Sequence, residues 1–145
     1  DVMPTLLDAA GLPAPDSLDG RSLMPLLRGH SVPWREFLHG ECAAVPTVHS
    51  GMQYVTDGRR KYVWFPGRGE EFFFDLEADP CELRNLAADA ARADEVALWR
   101  NRLIRTLEGR PEAFVENGRL RRLDGPTPPC LPGFENPLGK VAVGD

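Results

Sequence analysis

Residues 52–76, MQYVTDGRRKYVWFPGRGEEFFFDL, decide the fold of this 145-residue chain. Apolar and polar residues alternate in the first five positions, and Asp57-Gly58 is a dipeptide typical of a tight hairpin turn. Residues 61–65 form a β-branched and aromatic run, which residues 66–69 (PGRG) interrupt before a third run of three phenylalanines. The stretch therefore predicts a three-stranded antiparallel meander whose apolar side needs a cover.

A long helix downstream is the natural cover for this sheet. Four apolar residues recur there at helical spacing: Val96, Trp99, Leu103 and Leu107. Asp89 suits the N-cap and Gly109 the end of this helix. Residues 36–42 (EFLHGEC) predict a further strand ahead of the meander. The fold class predicted is α+β, with a small four-stranded antiparallel sheet packed on one long C-terminal helix.

The two ends of the chain have a different character from its middle. Residues 1–11 predict a short amphipathic helix, and residues 22–27 one or two further helical turns after a Pro/Gly/Asp loop. Residues 110–145 are rich in Pro and Gly, with one short strand predicted at 118–123. We expect this C-terminal tail to lie over a partner surface or to stay mobile.

Composition limits the partners and the setting of the chain. The formal net charge of −5 argues against nucleic acid or an anionic membrane surface as the main partner. No apolar run approaches the ~20 residues that span a bilayer, so a soluble protein is expected. The cysteines at positions 42, 81 and 130 have no paired spacing, which predicts free thiols. Because the chain lacks an initiator Met, we expect it to be a fragment.

His39 and Glu41 are the first candidates for a functional site. They are two residues apart on the predicted strand 36–42, so both side chains project from the same face. Such a pair can line a pocket or simply face solvent. A metal cluster with Cys42 and His49 is less favoured, because no second pair of residues has ligand spacing.

Two motifs in the chain resemble segments of the type I sulfatases. Residues 1–29, DVMPTLLDAAGLPAPDSLDGRSLMPLLRG, are similar to the D-[IV]-x-P-T-[LI]-L-x-x-A-G…DG-x-S-L-x-P-L-L segment of that family. Residues 71–87, EFFFDLEADPCELRNLA, resemble its E-x-[FL]-[YF]-D-L-x-x-D-P-x-E-x-x-N-L-A segment, preceded here by the Lys61-Tyr62 pair. Two motifs in the family's order are more specific than either alone.

The resemblance implies membership of the alkaline phosphatase superfamily and hydrolysis of sulfate esters. Family members use a formylglycine, made from Cys or Ser, and a calcium-like divalent cation, both held upstream of the segment that matches this chain. Residues 1–29 would then end the large α/β domain, 30–109 form a C-terminal α+β subdomain, and 110–145 a tail. The implied partners are the N-terminal catalytic portion of the same enzyme and a sulfate ester.

No catalytic residue, metal ligand or cofactor is therefore expected within the chain itself. Cys130 begins a C-L-P-G-F stretch that starts like the sulfatase nucleophile motif C-x-P-[SA]-R, but Gly133 and Phe134 depart from it. Cys130 is consequently not expected to be a nucleophile. The residues predicted to form one wall of the substrate pocket are His39, Glu41 and, less favoured, Trp64.

Two alternative functions stay open on the sequence. The first is a phosphonate or phosphate monoesterase of the superfamily, which shares this C-terminal portion. These residues do not distinguish it from a sulfatase, because the residues that separate sulfate from phosphate lie upstream. A non-catalytic interaction module that binds a partner through an apolar side is the second alternative. An upstream C-x-P-[SA]-R motif would decide for a sulfatase, whereas a coding sequence that begins near Asp1 would favour the module.

Overall fold

Four strands form one antiparallel sheet in the computed structural model, which describes residues 1–42 and 50–125. They are β1 (Leu38–Cys42), β2 (Met52–Thr56), β3 (Arg60–Phe65) and β4 (Glu70–Asp75). Their spatial order follows their order in the chain, so each strand pairs with the next. The meander predicted from residues 52–76 and the added strand ahead of it are both confirmed.

The β2–β3 turn is built by the predicted Asp-Gly pair. Gly58 has a φ of 87°, in the left-handed region that glycine adopts at little cost. The Asp57 carboxylate accepts hydrogen bonds from the backbone N–H groups of Arg59 and Arg60, at 2.8 and 2.7 Å. The turn fixes the register in which Val55 lies opposite Tyr62.

Helix α3 (Ala93–Leu107) covers one face of the sheet, as predicted. A 3-10 turn (Ala90–Arg92) precedes it, and the Asp89 carboxylate caps that turn by accepting the Ala91 N–H at 3.0 Å. The apolar residues of α3 and the sheet bury one another in a single cluster. Its members on α3 and the strands are Val55, Tyr62, Trp64, Phe73, Val96, Trp99, Leu103 and Leu107. The α+β architecture is thus confirmed.

The aromatic residues of the sheet are divided between its two faces. Because side chains alternate along a strand, Tyr62 and Trp64 point toward α3, whereas Phe65 lies on the opposite face. There its ring meets Phe72 edge-on, with the ring centroids 5.6 Å apart. Phe72 in turn stacks on Phe74 at 6.1 Å. The helix therefore covers three of the seven aromatic residues in the four strands, namely Tyr62, Trp64 and Phe73.

Residues beyond α3 complete the core beneath the helix. Strands β5 (Val115–Glu116) and β6 (Arg119–Leu120) form a short hairpin at the position where one strand was predicted. Phe114 is buried against the edge of the Trp64 ring, with the centroids 5.9 Å apart. Leu123 joins the same cluster, and its N–H bonds to the Pro66 carbonyl at 3.0 Å. Residues 110–125 thus contribute to the packed core, and the rest of the predicted tail, residues 126–145, lies outside the described residues.

Residues 1–35 form a separate compact unit, distinct from the one that begins at Glu36. It contains α1 (Val2–Ala9) and the single turn α2 (Met24–Leu27). Asp1, Thr5 and Asp8 form the polar side of α1, and each side chain bonds to residues 21–23 of the following loop. The two halves of the first family-like motif therefore bind each other. None of the described helices combines the length and apolarity needed to cross a membrane.

Candidate functional site

His39 and Glu41 lie on β1, the strand at one edge of the sheet. His39 is opposite Val55 and Glu41 is opposite Gln53, so the two side chains share the face on which α3 packs. His39 is half-buried, and its Nε2 lies 2.8 Å from the Gln53 Oε1 atom. The structure thus brings the two predicted site residues to one face, beside a buried amide that sequence reasoning missed.

Arg110 holds Glu41 from the segment that follows α3. Its Nη1 lies 2.9 Å from the Glu41 carboxylate, and two further guanidinium nitrogens donate to Glu112 at 3.2 and 2.6 Å. The guanidinium also lies 5.9 Å from the centroid of the Phe114 ring. The hydrogen bonds to Glu112 and then Glu41 raise the pKa of Arg110 above its ordinary value, although partial burial opposes this. Arg110 is therefore a fixed cation.

Trp64, the third predicted site residue, lies in the core beneath this polar edge. Only 2% of its surface is exposed, because α3 and Phe114 cover it. Across the sheet it is opposite Gln53 on β2 and Glu71 on β4. Its indole is therefore part of the core cluster, and Gln53 separates it from Glu41 on β1. A role for Trp64 as a pocket wall stays a prediction.

The described residues contain no grouping of three or more His, Cys, Asp or Glu side chains suited to a metal ion. They accordingly do not fit the calcium site that the sulfatase resemblance implies for a whole enzyme. Cys42 and Cys81 are free thiols on the surface. Cys130 and His49, which entered the earlier hypotheses, lie outside the described residues.

Comparison with known proteins identifies the family. The family model for the C-terminal region of N-sulphoglucosamine sulphohydrolase matches residues 1–108. The chain belongs to this sulfatase family. The family match covers all four strands, α3 and the N-terminal unit, so it agrees with the resemblance read from the two motifs.

Individual relatives support the same assignment. The chain is similar to an arylsulfatase of Clostridium perfringens, with 40% identity over 120 residues that cover 83% of this chain and 24% of that protein. A protein solved in complex with its substrate D-glucosamine-2-N,6-O-disulfate matches with a TM-score of 0.67 and 27% identity, over 74% of this chain and 23% of that one. A phosphonate monoester hydrolase of Agrobacterium radiobacter matches with a TM-score of 0.57 and 31% identity, over 72% and 23%. The chain spans about a quarter of the length of these proteins.

The second sulfatase-like motif, residues 71–87, has a structural role in this subdomain. Asp75 ends β4 and forms ion pairs with Arg60 at 2.8 Å and with Arg92 at 3.3 Å. Both arginines also bind Glu95 of α3, each at 2.8 Å. The Asp75 carboxylate additionally accepts the Ala78 N–H at 3.2 Å. This network ties the end of the sheet to the start of α3.

The remaining polar residues of the motif fasten the connection between β4 and α3. Glu82 accepts two hydrogen bonds from Lys61 Nζ, at 2.9 and 3.0 Å. Asp79 accepts the Arg84 N–H at 2.8 Å. These contacts show that the sulfatase-like motif holds the β4–α3 connection in place.

Asn85 closes the free edge of β4. Its Oδ1 accepts the Phe73 N–H at 3.0 Å, its Nδ2 donates to the Glu71 carbonyl at 3.1 Å, and the adjacent Leu86 N–H bonds to the Phe73 carbonyl at 2.8 Å. The side-chain amide therefore takes the place of a neighbouring strand. An edge satisfied in this way is a poor template for pairing with another chain.

Asn85→Ala is expected to lower the free energy of unfolding by about 1–2 kcal/mol, because two backbone groups of β4 lose their partners. Urea denaturation followed by circular dichroism measures the change. The matched control is Asn101→Ala on the exposed side of α3, which should have little effect. Equal stability of the two variants would contradict the role of Asn85 as an edge cap.

Proposed function

We propose that this chain is the C-terminal portion of an enzyme that hydrolyses sulfate esters. The observation that carries the proposal is the family match over residues 1–108, supported by the 40% identity to an arylsulfatase. By resemblance, residues upstream of the matched segment supply the formylglycine nucleophile and the Asp and Asn ligands of a calcium ion. The role proposed for this chain is to complete the fold and form one wall of the substrate pocket.

The N-terminal unit supports a partnership with further protein of the same enzyme. Its large apolar side chains are unusually exposed: Val2, Met3, Leu6, Leu12, Leu26 and Leu27. Its polar side chains, by contrast, are used within the unit to hold the loop at residues 20–23. A unit that bonds its polar side internally and exposes its apolar side is typical of a surface buried against another protein segment. We assign that segment to the upstream catalytic portion.

His39 and Glu41 are the residues proposed to reach the substrate, whereas Trp64 is part of the core cluster. His39 and Glu41 lie on the edge strand β1, and each carries a group that accepts hydrogen bonds. In the reaction, the enzyme must hold the alcohol part of the ester while the sulfur–oxygen bond breaks. Residues that bind this alcohol determine which sulfate ester is hydrolysed, and their loss should raise KM more than it lowers kcat for a good leaving group.

A phosphonate monoesterase is the second candidate function. The specific observation in its favour is the match to the Agrobacterium radiobacter phosphonate monoester hydrolase, whose 31% identity exceeds that of the disulfate-bound protein. Sulfate monoesters carry one negative charge and phosphate monoesters up to two. Discrimination between them therefore depends on the cations around the reacting group, which belong to the upstream portion.

The natural full-length protein is expected to hydrolyse p-nitrophenyl sulfate, whereas the 145-residue chain alone is expected to show no turnover above the uncatalysed rate. Release of p-nitrophenolate measures both. The control is the full-length protein with the Cys or Ser of its upstream C-x-P-[SA]-R motif replaced by Ala. Robust turnover by the chain alone would contradict the proposal, and faster hydrolysis of phenyl phosphonate esters than of sulfates would favour the second candidate.

A further inference from the structure

Gln53 is a buried polar residue between the polar pair on β1 and the apolar core of the sheet. Its exposed fraction is 2%, and its neighbours along and across the strands include Val55 and Trp64. Burying a side-chain amide costs free energy unless its hydrogen bonds are made, so an apolar residue would stabilise this position more simply. The Gln53 side chain bonds to His39, and Glu41 and Trp64 lie opposite Gln53 on the two neighbouring strands.

The bond between Gln53 and His39 favours one tautomer of the neutral His39 ring. The Gln53 Oε1 atom accepts hydrogen bonds, so the bond at 2.8 Å is made when the proton of the ring is on Nε2. Nδ1 is the acceptor in that tautomer. Gln53 is therefore placed to select this tautomer and to orient the ring.

Arg110 acts on Glu41 in a comparable way. Glu112, whose side chain is 8% exposed, binds two nitrogens of the guanidinium and so anchors the cation from the side away from β1. The hydrogen bond with Arg110 lowers the pKa of Glu112, although burial opposes this, so the anchor is ionised near neutral pH. One Arg110 nitrogen contacts one Glu41 oxygen. Because a carboxylate accepts several hydrogen bonds, Glu41 can accept others besides this contact.

We propose that Gln53 and Arg110 are positioning residues that hold the His39 Nδ1 atom and the Glu41 carboxylate as a pair of hydrogen-bond acceptors toward the substrate. This inference rests on the proposed function and adds the substrate class. Two fixed acceptors favour an alcohol that carries hydrogen-bond donors, such as a sugar with free hydroxyl or ammonium groups. A simple aryl sulfate offers no donor and gains nothing from them.

The test uses the full-length protein with two probes, glucose 6-sulfate and p-nitrophenyl sulfate. His39→Ala is expected to lower kcat/KM for glucose 6-sulfate about tenfold, the effect of losing one good hydrogen bond, and to change that for p-nitrophenyl sulfate less than about twofold. Gln53→Met, which keeps the volume but removes the acceptor, is expected to give a similar selective loss. Gln53→Glu places a carboxylate beside His39, which favours the doubly protonated ring and therefore should not restore the Nδ1 acceptor.

A double-mutant cycle separates positioning from a general structural effect. If Gln53 acts through His39, then adding Gln53→Met to His39→Ala causes no further loss in kcat/KM. The inference would be overturned if the losses of kcat/KM in the two single variants multiplied in the double variant. It would also be overturned if kcat/KM fell equally for both probes. Thermal unfolding of each variant confirms that it is folded at the assay temperature.

A spectroscopic measurement keeps this inference separate from the proposed function. In the full-length protein labelled with ¹⁵N-histidine, the His39 signals, assigned by their loss in His39→Ala, should show a protonated Nε2 and an unprotonated Nδ1. A proton on Nδ1 would overturn the role of Gln53 even if sulfate esters are hydrolysed. If neither probe is hydrolysed, the proposed function fails, together with the substrate class inferred from it, while the spectrum still decides the positioning of His39.

Discussion

Phe114→Ala is expected to lower the free energy of unfolding by about 3–5 kcal/mol, the usual cost of deleting a buried phenyl ring. Phe114 is 1% exposed, and its ring meets the edge of Trp64 in the core cluster. The cost combines lost burial, the cavity that remains and the lost aromatic contact. Urea denaturation of the chain, followed by tryptophan fluorescence and circular dichroism, measures the change.

A matched control for this variant is Leu98→Ala on α3. Leu98 is also a large apolar residue, but 53% of its surface is exposed, so its truncation should change the stability by less than about 0.5 kcal/mol. If Phe114→Ala had an equally small effect, the segment after α3 would not belong to the core. Both substitutions delete apolar groups, so the large expected difference in stability between the two variants reflects the burial and packing of Phe114.

Asp75→Asn is expected to destabilise the chain strongly at neutral pH, because it removes the charge that Arg60 and Arg92 share. Burial raises the pKa of Asp75, but the Ala78 N–H and the two arginines outweigh it and hold that pKa below its ordinary value of 3.8. A carboxylate with a lowered folded-state pKa contributes stability above its unfolded pKa and loses it as pH falls through the folded value. The wild-type and variant stabilities should therefore converge below about pH 4.

Thermal unfolding between neutral and acidic pH measures this convergence. Asp124→Asn is the control, since Asp124 is exposed and lies outside the network. Its melting temperature should follow that of the wild type at every pH. A difference between Asp75→Asn and the wild type that stays constant into acid would mean that the Asp75 charge does not stabilise the fold, and that only the shape of the side chain matters.

The Asp75 network also changes the meaning of the motif by which the family is recognised. Asp75, Asp79, Glu82 and Asn85 each bind a backbone group or a cation within the subdomain. Their contacts show that they hold the β4–α3 connection in place, and the residues proposed to meet the substrate lie instead on β1.

The main helix and strands, their order and the family could all be predicted from local sequence signals and two motifs. Alternation in residues 52–56, the Asp57-Gly58 turn and the 3.6-residue spacing from Val96 to Leu107 are local signals, because strand, turn and helix each depend on neighbouring residues. It also placed His39 and Glu41 on one face, since the side of a strand follows from parity alone. These predictions needed no knowledge of distant contacts.

Three features depend on contacts between distant parts of the chain: the side of the sheet that α3 covers, the burial of Phe114, and the hold of Gln53 and Arg110 on the pair on β1. Gln53 is 14 residues from His39, and Arg110 is far along the chain from Glu41. Such contacts depend on strand register and on where the chain returns after α3. The β1–β2 register and this return path are set by the summed packing of the whole subdomain, which no local pattern encodes.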